Sequence, residues 1–200
     1  MARPSLVAIL AIVLSLGCNG GDEGRSSGRG AADSGGGSGD EDGGGLPSTF
    51  AGEPGLLSGI TAAHNAVRAA TGDGIRSLEW DDDVAASAQS WADNLASRDC
   101  VLMHSSGTGY GENIAAFGGN RGTAQRVVDM WVGERECYTY GPFMEGDACS
   151  GECFGCGHYT QVVWENSRRL GCGVADCGGG GAIWVCNYDP PGNYLGQVPY

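Results

Sequence analysis

Imidazoles and carboxylates are the side chains in this sequence best suited to hold a metal ion or move a proton, and imidazoles are scarce: histidine occurs at positions 64, 104 and 158 only. His158 follows Cys156-Gly157 and precedes Tyr159-Thr160-Gln161-Val162-Val163-Trp164. The β-branched and aromatic residues that end this stretch read as the start of a buried strand from Gln161. A histidine at a cysteine-anchored strand edge is held at a defined angle, which metal binding and proton transfer both require. Gly157 leaves room beside it for a backbone or ligand. On these residues alone the plainer alternative, one satisfied hydrogen bond at a loop end, stays open. His104 closes an extended stretch that begins at Cys100, with Ser105 next in the chain. Adjacent residues rarely point at each other, which argues against a Ser–His nucleophile pair. His64 sits in a helical pattern among apolar neighbours and reads as a structural histidine.

The elements that must position these groups follow from periodicity. Residues 56–70 have helical spacing, with Leu57, Ile60, Ala63, Val67 and Ala70 on one face. Residues 78–81 read as a turn with a buried anchor. Asp82 or Asp83 is expected to cap a second helix carrying Val84, Ala88, Trp91 and Leu95. A glycine-rich turn leads to Gly111-Glu112-Asn113-Ile114. Thr123 is expected to cap a third long helix, on which Trp131, Glu134 and Tyr138 share one face. An inward-facing Glu134 then needs a partner, because burying a lone carboxylate is costly. Residues 141–155 read as an irregular, cysteine-bearing loop, and two short strands are expected around 173–175 and 182–187. Helices first and strands later indicate α+β layers.

Around this domain, expected at residues 55–200, lie two further segments. Residues 1–18 read as a signal peptide: an apolar run from Leu6 to Leu16 follows Arg3 and is too short to span a bilayer. Its end, Leu14-Ser15-Leu16-Gly17-Cys18, resembles a bacterial lipobox in which Cys18 is lipidated, although Ser15 stands where that pattern prefers leucine. Cleavage by ordinary signal peptidase is the alternative. Residues 19–54 are Gly, Ser, Asp and Glu with hardly an apolar side chain, the composition of a flexible linker. Of nine cysteines, eight lie between Cys100 and Cys186. An even set in an exported chain reads as a disulfide framework, favoured over a zinc cluster at Cys149, Cys153 and Cys156. The chain has no lysine and a net charge of −13, which disfavours nucleic acid or anionic lipid as partners.

Taken together, His64-Asn65-x-x-Arg68, Leu78-x-Trp80-Asp81, His104-Ser105, Gly111-Glu112-Asn113, Trp131-x-x-Glu134, the stretch 157–164 and Cys186-Asn187-Tyr188-Asp189-Pro190-Pro191-Gly192-Asn193 resemble the CAP superfamily: cysteine-rich secretory, antigen 5 and pathogenesis-related 1 proteins. The resemblance spans about residues 56–200 and is nearest to the plant pathogenesis-related 1 branch. It implies a three-layer α-β-α sandwich with a central cleft, whose tetrad of two histidines and two glutamates falls on His104, Glu112, Glu134 and His158. His64 matches the family's helix-one histidine, outside the tetrad. The resemblance also implies that His104, His158, Glu112 and Glu134 can bind Zn²⁺ or another divalent cation, and that the domain takes an apolar small molecule, a lipid or a protein partner. Relative to the plant pattern, Cys137 and Cys153 are an extra pair, expected to bridge each other.

The favoured function is therefore an exported, lipid-anchored binding module: extracytoplasmic, tethered to a membrane of the cell envelope through Cys18, or secreted. A metal-assisted or acid–base hydrolase or peptidase using the same four residues is the alternative. Against it, the sequence has no His-Glu-x-x-His, and the domain at residues 55–200 has no Gly-x-Ser-x-Gly elbow, the match at residues 24–28 falling in the expected linker. A purely structural polar network is the third reading.

Overall fold

A computed structural model describes residues 52–200 apart from 73, 147 and 150–154. The leader, Cys18 and all but the last three residues of the expected linker lie outside the described residues.

Helix α1 (Ile60–Thr71) begins later than its periodic pattern, after a 3₁₀ turn at Gly55–Leu57. Its N-cap, Gly59, has no side chain to offer. Glu53 caps the helix instead, accepting from the Gly59 and Thr61 N–H groups at 2.6 and 2.9 Å. Helix α2 (Asp82–Ala96) is capped by Asp81, one residue before the expected pair, which accepts from the Asp83 and Val84 N–H groups at 3.0 Å each. Asp82 and Asp83 occupy the first turn, where their charge complements the helix dipole.

The sheet has the order β1-β3-β4-β2. Strand β1 (Glu79–Trp80) pairs parallel with β3 (Arg169–Gly178), so the expected turn at 78–81 is a short strand, with Leu78 as the buried anchor. Strand β3 runs antiparallel to β4 (Gly181–Asp189), and β4 antiparallel to β2 (Gly111–Phe117) at the other edge. The β2 segment, expected only as the sequel to a glycine-rich turn, extends for seven residues because β4 supplies a full ladder.

Helix α2 covers one face of the sheet, enclosing Ala88, Ala92, Leu95, Ile114, Ile183 and Val185. Two strand glycines let it come close. A Cβ on Gly171 would lie 2.0 Å from the Ala85 nitrogen, and one on Gly173 would lie 2.3 Å from the Gln89 Cα. Gln89 then bonds the Val174 backbone in both directions, at 3.0 and 3.1 Å. The opposite face packs against α1, α3 (Ala124–Val132) and α4 (Gly157–Val162) over a core that includes Trp131, Tyr159, Leu170, Trp184 and Tyr188. The fold is thus an α-β-α sandwich, as the family resemblance implied.

Two expectations fail locally. Gln161–Trp164 does not begin a strand; its first residues close α4, every residue of which after Gly157 is buried. A short apolar run buried on all sides has no periodicity to tell strand from helix, and bonds from the Thr160 hydroxyl to the Cys156 and Gly157 carbonyls secure the helical turn. The third helix, capped by Thr123 as expected, ends at Val132 and tightens into a 3₁₀ turn, Gly133–Cys137. With three residues per turn, Trp131, Glu134 and Tyr138 no longer share an α-helical face. Trp131 enters the core, whereas Glu134 turns to α4.

Disulfides join Cys100 to Cys177, Cys149 to Cys156 and Cys172 to Cys186. Bonded to each other, Cys149 and Cys156 are not thiolate ligands, which removes the zinc-cluster alternative. The expected Cys137–Cys153 pair falls on residue 153, outside the described residues.

Candidate functional site

Each tetrad glutamate holds one tetrad histidine through its Nδ1 and also accepts from a backbone N–H. Glu134, on the 3₁₀ turn, accepts from the backbone N–H groups of His158 (2.7 Å) and Tyr159 (3.2 Å) with one oxygen. Its other oxygen lies 2.6 Å from the His158 Nδ1. Glu112, on β2, places Oε1 2.7 Å from the His104 Nδ1 and 2.9 Å from the Ser105 nitrogen. A carboxylate only accepts, so Nδ1 carries the hydrogen in both rings, and in the neutral form of either ring Nε2 keeps the lone pair. This is the arrangement by which a carboxylate orients an imidazole for an electrophile on its far nitrogen. Ser105 contributes its backbone N–H to the cluster.

Burial differs between the pairs. The side chains of His158 and Glu134 are 9% and 11% exposed, against 22% and 6% for His104 and Glu112. His158 is stacked with the Trp131 ring at an interplanar angle of 15°. The Glu112 Oε2 is buried and makes no hydrogen bond within the described residues, leaving an acceptor suited to a cation or a donor.

Edge strand β2 supplies a contact to each pair. Glu112 is in register with Asn187 and Asn113 with Cys186, so successive residues of β2 face opposite sides of the sheet. Glu112 gathers His104, while Asn113 donates from Nδ2 to the His158 carbonyl at 3.1 Å. The structure thus keeps the tetrad as two pairs. Among the described residues, no three His, Cys, Asp or Glu side chains form a group that could hold a metal ion.

Helix α4 is fixed from behind by Arg68, which is fully buried on α1. Its guanidinium donates to the carbonyls of Arg76, Val162, Trp164 and Ser167 at 2.8–3.1 Å. Burial, then repulsion from Arg168, pulls its pKa down to about 10, which leaves it charged at neutral pH. Arg68 and Asn113 both belong to the family-like motifs, but nothing in their spacing says that they reach α4. His64 is fully buried on α1 and belongs to neither pair, its ring nitrogens lying 2.8 Å from the Ile60 carbonyl and from the Tyr188 hydroxyl.

This sandwich, with its paired histidines and glutamates, belongs to the cysteine-rich secretory protein (CAP) family, whose model matches residues 61–188. Within that family the chain is 50% identical to pathogenesis-related protein 1A of Nicotiana tabacum over 139 residues, 69% of this chain and 77% of that protein. It is 48% identical to pathogenesis-related protein 1 of Arabidopsis thaliana over 138 residues, 69% of this chain and 78% of that one. Among solved structures, NaASP2 with Zn²⁺ superposes with a TM-score of 0.59 at 27% identity, covering 70% of this chain and 82% of that chain. BmVAL-1 superposes at 0.58 and 25% identity, covering 70% and 79%.

Proposed function

We propose that the domain is an exported binding module, in which His104 and His158 take a divalent cation through their Nε2 atoms and an apolar ligand or partner docks alongside. The observation that carries this reading is the matched use of Glu112 and Glu134: each engages Nδ1 and leaves Nε2 as the ligating nitrogen. In this reading the carboxylates orient and the imidazoles bind, so fewer than three side chains need touch the metal. Such a site is weak, and Zn²⁺ with water completing its sphere suits it. The unpartnered Glu112 Oε2 offers a counter-charge or a water anchor. When bound, the ion supplies a positive charge able to polarise a ligand's oxygen. Protons compete for the same nitrogens, so affinity falls in acid. The zinc-bound NaASP2 structure supports a metal in this fold.

For the apolar partner, Val101 and Met103, which precede His104, are 59% and 39% exposed. Export is supported by the disulfides and by membership of a family of secretory proteins. A lipid anchor on Cys18 rests on the lipobox-like sequence. Calorimetric zinc titration of wild type, His104→Ala and His158→Ala tests the metal site. Each variant is expected to lose about 10-fold or more in affinity; unchanged binding in both removes the site. A peptidase and esterase screen run alongside distinguishes the hydrolase reading, which gains if turnover appears and vanishes in Glu112→Gln or Glu134→Gln.

A further inference from the structure

A buried chain of hydrogen bonds runs from α1 to the backbone of His158, and the direction of every link follows from chemistry. His64 is fully buried, with Nδ1 2.8 Å from the Ile60 carbonyl and Nε2 2.8 Å from the Tyr188 hydroxyl. A carbonyl only accepts, so Nδ1 holds the hydrogen. In the neutral ring Nε2 is then an acceptor and Tyr188 must donate to it. The Tyr188 oxygen is left to accept, and Asn113 Nδ2 donates to it at 3.1 Å. The second hydrogen of the same Nδ2 goes to the His158 carbonyl, also at 3.1 Å. Asn113 is itself 1% exposed and Tyr188 fully buried. Each donor meets an acceptor, and no link can be reversed without leaving two acceptors or two donors face to face.

From this we infer that Asn113 is the positioning residue that sets the His158–Glu134 pair against the His104–Glu112 pair, and that Tyr188 and His64 act through it. Its place is what makes it suited. One peptide bond joins it to Glu112, and its side chain grips the backbone of His158. A shift of Asn113 therefore changes the placement of His158 relative to Glu112 and the His104 it holds. Trp131 reinforces the arrangement, lying between the His64 ring (6.0 Å between centroids) and the His158 ring (6.3 Å). The orientation of the Asn113 amide is also dictated: both neighbours are acceptors, so the nitrogen faces them. An isosteric carboxylate there would oppose two oxygens.

The inference deepens the reading of the two pairs as a metal site, but its test does not depend on that reading. With three histidines in the chain, imidazole ¹⁵N NMR of the full protein in detergent resolves each ring. In wild type, His64 is expected as the Nδ1–H tautomer; an Nε2–H tautomer reverses the chain and overturns the proposal. In Tyr188→Phe, which keeps the ring, and in Asn113→Asp, the His158 ring signals are expected to move while those of His104 stay in place. Zinc titration of the same variants is expected to show a loss of about 10-fold or more. A folded Tyr188→Phe protein with a lower melting temperature but an unmoved His158 ring and unchanged zinc affinity means that the chain is merely structural, and the proposal fails. If wild type binds no zinc and the His158 ring still moves in the variants, the metal reading fails and the positioning role stands.

Discussion

Glu112 and Glu134 illustrate how much one side chain can settle. Each carboxylate satisfies a ring nitrogen and a backbone nitrogen within the same few ångströms. The need for a partner at Glu134 was legible from its expected inward aspect, yet the geometry behind that expectation was not. A 3₁₀ turn, invisible in the apolar spacing, is what delivers the carboxylate to α4. His64 has a consequence of its own. Burial pushes its pKa from the ordinary 6.5 down to about 4. Between those values the unfolded chain binds the proton and the folded one does not, so acid favours unfolding. The neutral ring's contribution is complete above about pH 6.5 and is lost as pH falls toward about 4, where it levels off. The shift corresponds to about 3 kcal/mol. Urea unfolding of wild type and His64→Phe at pH 7 and pH 4.5 checks this: the variant is expected to lack most of the wild-type loss. Equal losses in both proteins would assign the acid sensitivity to other groups.

At the scale of elements, glycine decides how the layers meet. Gly171 and Gly173 sit on the face of β3 that α2 covers, and a methyl group on either would strike helix backbone rather than a movable side chain. Gly173→Ala is therefore expected to destabilise at the upper end of the about 1–3 kcal/mol typical of overpacking, read as a lower urea midpoint. Gly133→Ala, where a Cβ meets nothing within 4 Å, is the control and should change little. Helices α1, α2 and α3 were legible because each has one apolar stripe. The strand β2 was not, since its ladder partners lie far along the chain on β4. Helix α4 was misread for a related reason: its fold is imposed by Arg68, Glu134 and Asn113 from three other elements. Local pattern reports poorly on what is held from outside.

For the whole molecule, the family frame was carried by short motifs in order, while the way they fit together became visible only in three dimensions. Outside the described residues, the lipobox-like Cys18 predicts that Cys18→Ser shifts the protein from membrane to soluble fractions. Wild type found soluble and without acyl groups would rule out the anchor. The Cys100–Cys177 bridge spans 77 residues, and a loop of that length contributes about 4 kcal/mol in the chain-entropy account. Replacing both cysteines with serine should lower the urea midpoint accordingly. The same bridge has a topological effect that energy does not describe. Residues 104, 112, 134 and 158 all fall inside the covalent ring it closes. A protease that nicks the backbone once anywhere between residues 101 and 176 opens the ring without releasing a fragment. On a gel such a protein runs as one species until it is reduced. Both halves of the site stay tethered, so a nick need not end function, as it would in an uncrosslinked chain.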